Sequence, residues 1–400
     1  MMHDPHRVRL EANQELHARP FPALPAEVRL VHLCVRVSPK TWAEVLPWIQ
    51  TKLNDLPDNF HGYWERSGME SWVRVERHTE FVAITQVVPE GLGFSEVAES
   101  SWIQSAPQDL LVMARLTASV GGQIPSEMEA VSQLRDGDVL AGSNFTGDTA
   151  GFSAWHVVFA ANPGDESAGR LLQMILEIET YRTLAVMGMD KIRAAHPILQ
   201  SVASELPRES VEALKHQDML GILGLLSTQE ARLQELWERL AWRIGANSAY
   251  HNLVFQRLDE LSEMAAAGQV GLSHFLRRRL TPAVATAETV MRRRSELAEQ
   301  IDERAQLLRT QLQLNLQSQT RDLLASLERS AATQIRLQTA VEGLSTVAIA
   351  YYAVGLLAPL IEPFVPALWQ DWVKVVVTPV VIVGVWWGLS RIRNRFSHEA

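Results

Sequence analysis

The run GLSTVAIAYYAVGLLAPLI, Gly343 to Ile361, carries no charge and is closed at its two ends by Glu342 and Glu362. As a helix it spans about 28 Å, close to the ~30 Å hydrocarbon core of a bilayer. Length alone admits a buried core helix, and the next segment favours lipid. WVKVVVTPVVIVGVWWGLS, residues 372–390, is interrupted only by Lys374, whose stem is long enough to snorkel to an interface. Trp369 and Trp372 stand at one border of this run and Trp386 and Trp387 at the other, as an aromatic belt would place them. Pro363 and Pro366 punctuate the intervening turn, and Pro379 is expected to kink the second helix. Arg391, Arg393 and Arg395 follow, and the positive-inside rule puts that tail in the cytoplasm. The expectation is a C-terminal two-helix transmembrane hairpin over 342–392, with spans of about 343–361 and 372–390 and a basic cytoplasmic tail at 393–400. An even number of spans returns the large N-terminal part to the same side.

No Gly or Pro occurs from Ala283 to Glu342, which allows a helix of roughly 90 Å. Its apolar residues repeat at eleven: Leu297 and Leu308; Ile301, Leu312 and Leu323; Ala305, Leu316 and Leu327. That period gives a nearly straight or slightly right-handed stripe rather than a heptad seam. A second long helix, about Glu209 to Met264, precedes it, with AAAGQVG at 265–271 as the turn between them. Residues 209–341 therefore read as a long antiparallel helical stalk. Toward the membrane the stripe turns polar, through Ser330, Gln334, Gln338 and Ser345. These four are candidate pore-lining residues if stalks assemble around an axis, and an exposed polar face if they do not. Arg277–Arg279 and Arg292–Arg294 flank the far turn, roughly 70 Å or more from the bilayer along a straight helix, where pairing with the acidic head or with neighbouring helices is expected.

The charge is uneven. Residues 1–208 hold 17 Lys and Arg against 26 Asp and Glu, and the remaining residues 20 of each. The acidity of the first half argues against nucleic acid as a partner. Cys34 is the only cysteine, so a disulfide within the chain and a cysteine-based zinc cluster are excluded. The first residues, MMHDPHRVRLEANQEL, lack the apolar stretch of a signal peptide. VRLVHLCVRV, SWVRVERHTEFVAITQVV, LLVMARLTASV and AWHVVFA read as strands, the second with a break at 77–79. TWAEVLPWIQTKL, the stretch 95–104 and the apolar run 169–193 read as helices. An α+β cytoplasmic head over 1–208 is expected. Motifs for zinc hydrolysis, a nucleophile elbow, a phosphate loop and a dinucleotide fold are missing, so no catalytic residue and no cofactor are assigned. His17, Arg19, His78, Glu80 and His156 are candidates for a polar pocket in the head. Glu177, Glu179, Tyr181 and Arg182 on the apolar helix read as a buried network, with Glu179 and Arg182 able to pair at i, i+3.

NQELHARPFPAL, RHTEFVAITQ, GRLLQMILEIETYRTLA, FLRRRLTPAVATAETVMRRRSELAEQIDERAQLLRTQ and LQTAVEGLSTVAIAYYAVGLL together resemble a bacterial family of membrane-anchored proteins, the domain-of-unknown-function family 3422. The resemblance covers nearly the whole chain and implies a bacterial inner-membrane location, without an activity to carry over. In layout the chain also looks like the CorA-type divalent-cation channels, which makes divalent cations candidate cargo. The Gly-Met-Asn signature of those channels is missing from YYAVGLLAPLIEPF, so their selectivity does not transfer. The functional expectation is a homo-oligomeric membrane-anchored protein, a candidate ion channel or transporter; the alternative is a non-conducting scaffold that recruits cytoplasmic partners.

Overall fold

The structure, a computed structural model, describes residues 20–396 apart from 59, 61, 69–70, 99–101, 104, 217, 362–363 and 365–369. The chain divides into two compact units, Met1–Arg304 and Ala305–Ala400.

The first unit is built on a mixed sheet of nine strands among the described residues: β1 Val28–Arg36, β2 Tyr63–Arg66, β3 Val73–Arg77, β4 Phe81–Val87, β5 Leu110–Val120, β6 Ala130–Leu134, β7 Val139–Ser143, β8 Ser153–Phe159 and β9 Met264–Ala265. Their spatial order is β2-β3-β4-β1-β5-β8-β7-β6-β9. Only β5 and β8 pair in parallel, and the other neighbours are antiparallel. The helices are α1 Trp42–Lys52, α2 Phe94–Ala98, α3 Asp165–Ala185, α4 Met189–His216, α5 Met219–Glu260, α6 Leu272–Ile361 and α7 Gln370–Phe396. An α+β fold with a mixed sheet and one very long helix is therefore present.

Strand alternation divides the sheet into two buried faces. One face carries Val31, Leu33, Val35, Val73, Val75 and Ile84, which pack with Val45, Trp48 and Ile49 of α1 and Val97 of α2. The other carries Leu30, Leu116, Trp155, Val157 and Phe159, which pack with α3, the end of α5 and the start of α6. Because both faces are covered, the central strands read as nearly continuous apolar runs. Helix α3 lies inside this second layer, and Leu171, Leu172, Ile175 and Ile178 have no exposed surface. Each contributes about 1.5–3 kcal/mol relative to an exposed position.

Several boundaries differ from the sequence reading. The apolar run 169–193 is broken after Ala185, where Gly188 takes φ +76° and α4 begins at Met189. The long helix expected from about Glu209 is two helices, α4 to His216 and α5 from Met219. The Asp218 carboxylate starts the second by accepting from the Gly221 N–H at 2.8 Å, as an N-cap does. Part of the AAAGQVG turn is an edge strand, with Met264 and Ala265 pairing Gln133 and Ser132. Pro379 lies inside α7, which continues to Phe396.

α5 and α6 touch at points that run in opposite sequence directions. Arg277 stacks over Phe255 at 4.3 Å, His251 meets Thr281 at 3.4 Å, and Arg294 reaches Gln234 at 3.1 Å. The two basic clusters thus contribute to packing: Arg294 also lies over Trp237, and Arg279 over Phe275.

In the second unit α6 contains an 18-residue stretch of mean hydropathy 1.9, almost none of it buried, long and apolar enough to cross a membrane. The corresponding apolar stretch described on α7, Val375–Gly388, is shorter.

One backbone contact fixes how the segment before β1 crosses α3. A methyl group at Gly169 would sit 1.9 Å from the Pro22 carbonyl oxygen and 2.9 Å from the Leu24 nitrogen. The Leu24 N–H donates to the Asp165 carbonyl at 3.0 Å, so the segment cannot retreat without losing that bond. Gly169→Ala should therefore lose about 1–3 kcal/mol or more to overpacking. Gly224→Ala on α5, where the methyl meets nothing within 4 Å, should be neutral or gain up to about 1 kcal/mol. Thermal midpoints of the two variants check this, and equal midpoints would refute the close approach.

Candidate functional site

Register and alternation bring one set of polar side chains to the α3 face of the sheet. His32 on β1 stands opposite Thr85 on β4, and Thr85 opposite Arg74 on β3. The next row is Cys34, Ala83 and Glu76. Facing them, Gln173, Leu176, Glu177 and Thr180 follow the i, i+3, i+4, i+7 spacing of one helical face. Between the two layers lies a cavity of about 230 Å³. Phe21, Pro22 and Leu24 form one wall, and Arg257 of α5 borders it.

His32 is buried and holds three groups together. Its Nδ1 is 2.8 Å from the Thr85 hydroxyl and its Nε2 is 2.9 Å from the Thr180 hydroxyl. The Thr180 hydroxyl donates its hydrogen to the Leu176 carbonyl. It can then only accept from His32, so Nε2 carries the proton and Nδ1 accepts from Thr85. Burial holds the imidazole pKa down to about 4, against a smaller opposing pull from Glu179. Cys34 Sγ lies 3.4 Å from Nε2, an arrangement with the outline of a thiol–imidazole dyad. Its electrostatics are reversed. Burial pushes the thiol up to about 12, while a reactive pair needs a thiolate and an imidazolium. This pair stays neutral and acts as packing.

Arg74 is 2% exposed. Its Nη2 donates to the Pro20 carbonyl at 2.8 Å and to Glu76 at 3.0 Å. The guanidinium lies over the Tyr63 ring at 4.7 Å, and Nη1 is 3.8 Å from a Glu65 oxygen, too long for a hydrogen bond. Its Nε and Nη1 have no hydrogen-bond partner among the described residues. Across the cavity the Gln173 amide nitrogen donates to Glu177 at 3.0 Å, and Glu177 accepts from Arg257 as well. Gln173 Oε1 is buried without a partner. A buried donor or acceptor left in this state costs about 1–3 kcal/mol.

A second network lies beside the cavity. The buried Glu179 carboxylate accepts from Trp155 Nε1 at 2.9 Å and from Arg182 Nε at 2.7 Å, and also from Ser153. Burial alone would raise its pKa, but the Arg182 charge and these donors outweigh it and hold the carboxyl below its usual value. The sequence reading of Glu179 and Arg182 as a structural pair agrees with this geometry, whereas Glu177 and Tyr181 line the cavity.

The expected polar pocket is only partly assembled. His78 borders the cavity and stacks on Phe81 at 4.2 Å. Glu80 is drawn away into a buried pair with Arg243, whose Nη2 donates to it at 3.1 Å; Arg243 Nε in turn donates to Asn247 at 2.8 Å. His156 pairs with Thr117 and so falls on the opposite, α1-side face of the sheet. There burial lowers its pKa, with Glu127 opposing and Arg115 assisting. His17 and Arg19 lie outside the described residues. Ser330, Gln334, Gln338 and Ser345 are all exposed on α6. Trp386 and Trp387 are exposed on α7, Trp372 belongs to the same helix, and Trp369 is outside the described residues. Among the described residues no group of three or more His, Cys, Asp or Glu side chains could hold a metal ion. The polar cavity residues that sequence reasoning missed include Arg74, Glu76, Gln173, His32, Thr85, Thr180 and Arg257. The signal for the first two was VRVER, whose valines fill one face and so commit Arg74 and Glu76 to the other.

His32 makes stability depend on acid. Unfolded, it takes a proton below about 6.5, whereas folded it stays neutral to about 4. The unfolded state therefore binds more protons in that interval, and stability falls as pH drops from 6.5 to 4, by up to on the order of 3 kcal/mol. His32→Gln should flatten the decline of the thermal midpoint across this window. An undiminished slope in the variant would mean that other groups carry it.

Compared with known families, residues 4–396 match the one described as "Protein of unknown function (DUF3422)". No curated protein matches the chain.

Proposed function

The chain belongs to the family of proteins of unknown function DUF3422, and from that premise we propose that it is a membrane-anchored homo-oligomer of the bacterial inner membrane. Its α+β head is cytoplasmic, α5 and α6 form an antiparallel stalk, and the C-terminal helices form a two-span hairpin. The observation that carries this reading is the end of α6. Leu344, Val347, Tyr351, Tyr352, Leu356 and Leu360 are 67–76% exposed. In water such a surface would be a large uncovered apolar patch, and in lipid it is the ordinary surface of a span. The reversed contacts between α5 and α6 support the stalk. Arg391 stacked on Trp387 at 5.1 Å supports an interfacial anchor beyond the second apolar stretch.

Upstream of the span, Leu316, Leu323 and Leu327 are exposed in the eleven-residue series. A second copy of the chain, anchored in the same bilayer, is the partner that would cover them. Continued along the helix, the same series presents Gln334, Gln338 and Ser345, with Ser330 beside them. In an oligomer this row forms a hydrated seam, and ion passage along it is the activity that the arrangement supports. The non-conducting scaffold remains the second reading because the Gln338 amide donates to Glu342 on its own helix at 3.2 Å. That bond needs no water-filled axis.

Topology is tested with the natural Cys34 left in place, since it is buried. A cysteine at Ala367 should react with an impermeant thiol reagent from outside the cytoplasm, and one at Ser397 should not. The opposite labelling pattern would invert the orientation.

Conduction is tested by converting Gln334 and Gln338 together to leucine. The seam reading expects a more stable oligomer in detergent and suppressed cation flux in liposomes. Parent flux that survives in the double variant would exclude the row as a path, and a parent without flux for common cations would leave the scaffold.

A further inference from the structure

We propose that copies of this chain pair in parallel and in register along residues 312–341 of α6, each residue of the stripe meeting its own counterpart. The inference deepens the reading of the chain as a membrane-anchored oligomer and rests on it, and it holds whether or not the assembly conducts. Three observations define the orientation and the register. The first is where the stripe loses its cover within the chain. Its positions recur at steps of four, three and four residues, the eleven-residue period of a slightly right-handed coil. Upstream, Val290, Leu297 and Ile301 follow this series and are 1–4% exposed. Arg294, in the same series, reaches Gln234 of α5, and the nearby Arg304 donates to the Leu206 carbonyl of α4 at 2.8 Å. Leu312 is half-buried, and Leu316, Leu323 and Leu327 are 55–62% exposed. One continuous stripe is packed at its start and bare further on, with no change in its spacing.

The second is charge. In a parallel seam without stagger every residue faces a copy of itself, so any charge would face an identical and repelling charge. The nine stripe positions from Leu312 to Val341 are all Leu, Gln, Ser or Val. The five charged residues of the same stretch, Arg321, Asp322, Glu328, Arg329 and Arg336, lie off it, about 100° or more around the helix. The polar members suit the same geometry. A glutamine amide and a serine hydroxyl each donate and accept, so Gln319, Ser330 and Gln334 can be satisfied by their own copies. Such residues also fix register, because a slip of seven or eleven residues sets Gln334 against Leu327 or Leu323.

The third is the anchor. α6 runs without a break from this stretch into the apolar span. A second copy held by the same bilayer therefore presents the same residues at the same height and in the same direction. Leu327 precedes Gly343 by sixteen residues, about 24 Å of helix, so the lipid that covers the span does not reach the bare leucines.

The test is disulfide trapping in membranes that hold the full chain, with copper phenanthroline as oxidant and the buried Cys34 left in place. Leu316→Cys, Leu323→Cys and Leu327→Cys, made singly, should each give linked pairs of chains at least tenfold faster than Leu314→Cys or Ala332→Cys, on the opposite side of the helix. Leu323→Glu and Leu323→Lys should each weaken association in detergent at least tenfold by light scattering, and the two chains co-expressed should restore it. Trapping at only one of the three stripe positions would mean an antiparallel seam, and equal trapping at Leu314→Cys would mean no preferred face. Either overturns the proposal, as does a Glu and Lys mixture no more associated than its components. No trapping in a chain that still labels at Ala367→Cys from outside the cytoplasm would overturn the pairing alone. Trapping at all three positions in a chain that alkaline carbonate strips from the membrane would uphold the pairing and remove the anchor.

Discussion

The head depends on α3 being buried on nearly all sides. A helix that is apolar around most of its circumference cannot lie on a surface, so the sheet must cover one side and α5 the other. On that side the sheet, α3 and α5 enclose Leu30, Leu116, Trp155 and Phe159, while α1 and α2 cover the opposite face. The same burial explains the polar networks. A charged side chain buried within this layer has no water to retreat to and is held in a specific pair, whereas Asp165, Glu166 and Arg170 near the start of α3 are exposed. Glu179 with Arg182, Glu80 with Arg243 and Glu177 with Arg257 are the outcomes.

The strands that sequence reasoning located, β1, β3, β4, β5 and β8, are those rich in β-branched residues. β2, β6, β7 and β9 were missed because they are short and lie toward the sheet edges, where YWER, AVSQL and VLAGS have too few apolar positions to show a period. The α4–α5 boundary was missed for another reason. QDM carries no glycine or proline, and the stop is made by the Asp218 cap, which competes with helix continuation only once the chain has turned.

At the site, histidine drew attention to the wrong members of the right neighbourhood. RHTEF does border the cavity, yet Glu80 is taken by an arginine 163 positions away, a partner that no local pattern reveals. His156 shares the alternation signal of a buried strand but falls on the other face, because face assignment across a sheet depends on register as well as on each strand's own period. The informative residue was Arg74. An arginine between two valines in a strand covered on both sides has to be buried, and a buried guanidinium rarely finds acceptors for all five of its hydrogens.

The uninterrupted course of α6 has an evolutionary corollary. Within a continuous helix, gaining or losing one residue turns everything beyond it by about 100°, whereas eleven residues complete three turns almost in phase. Between Ala283 and Glu342 there is no loop to absorb a change of length. Length changes in this segment that keep the downstream face of the helix in phase should therefore come close to whole turns, as about seven, eleven or eighteen residues do, or in pairs of changes that cancel.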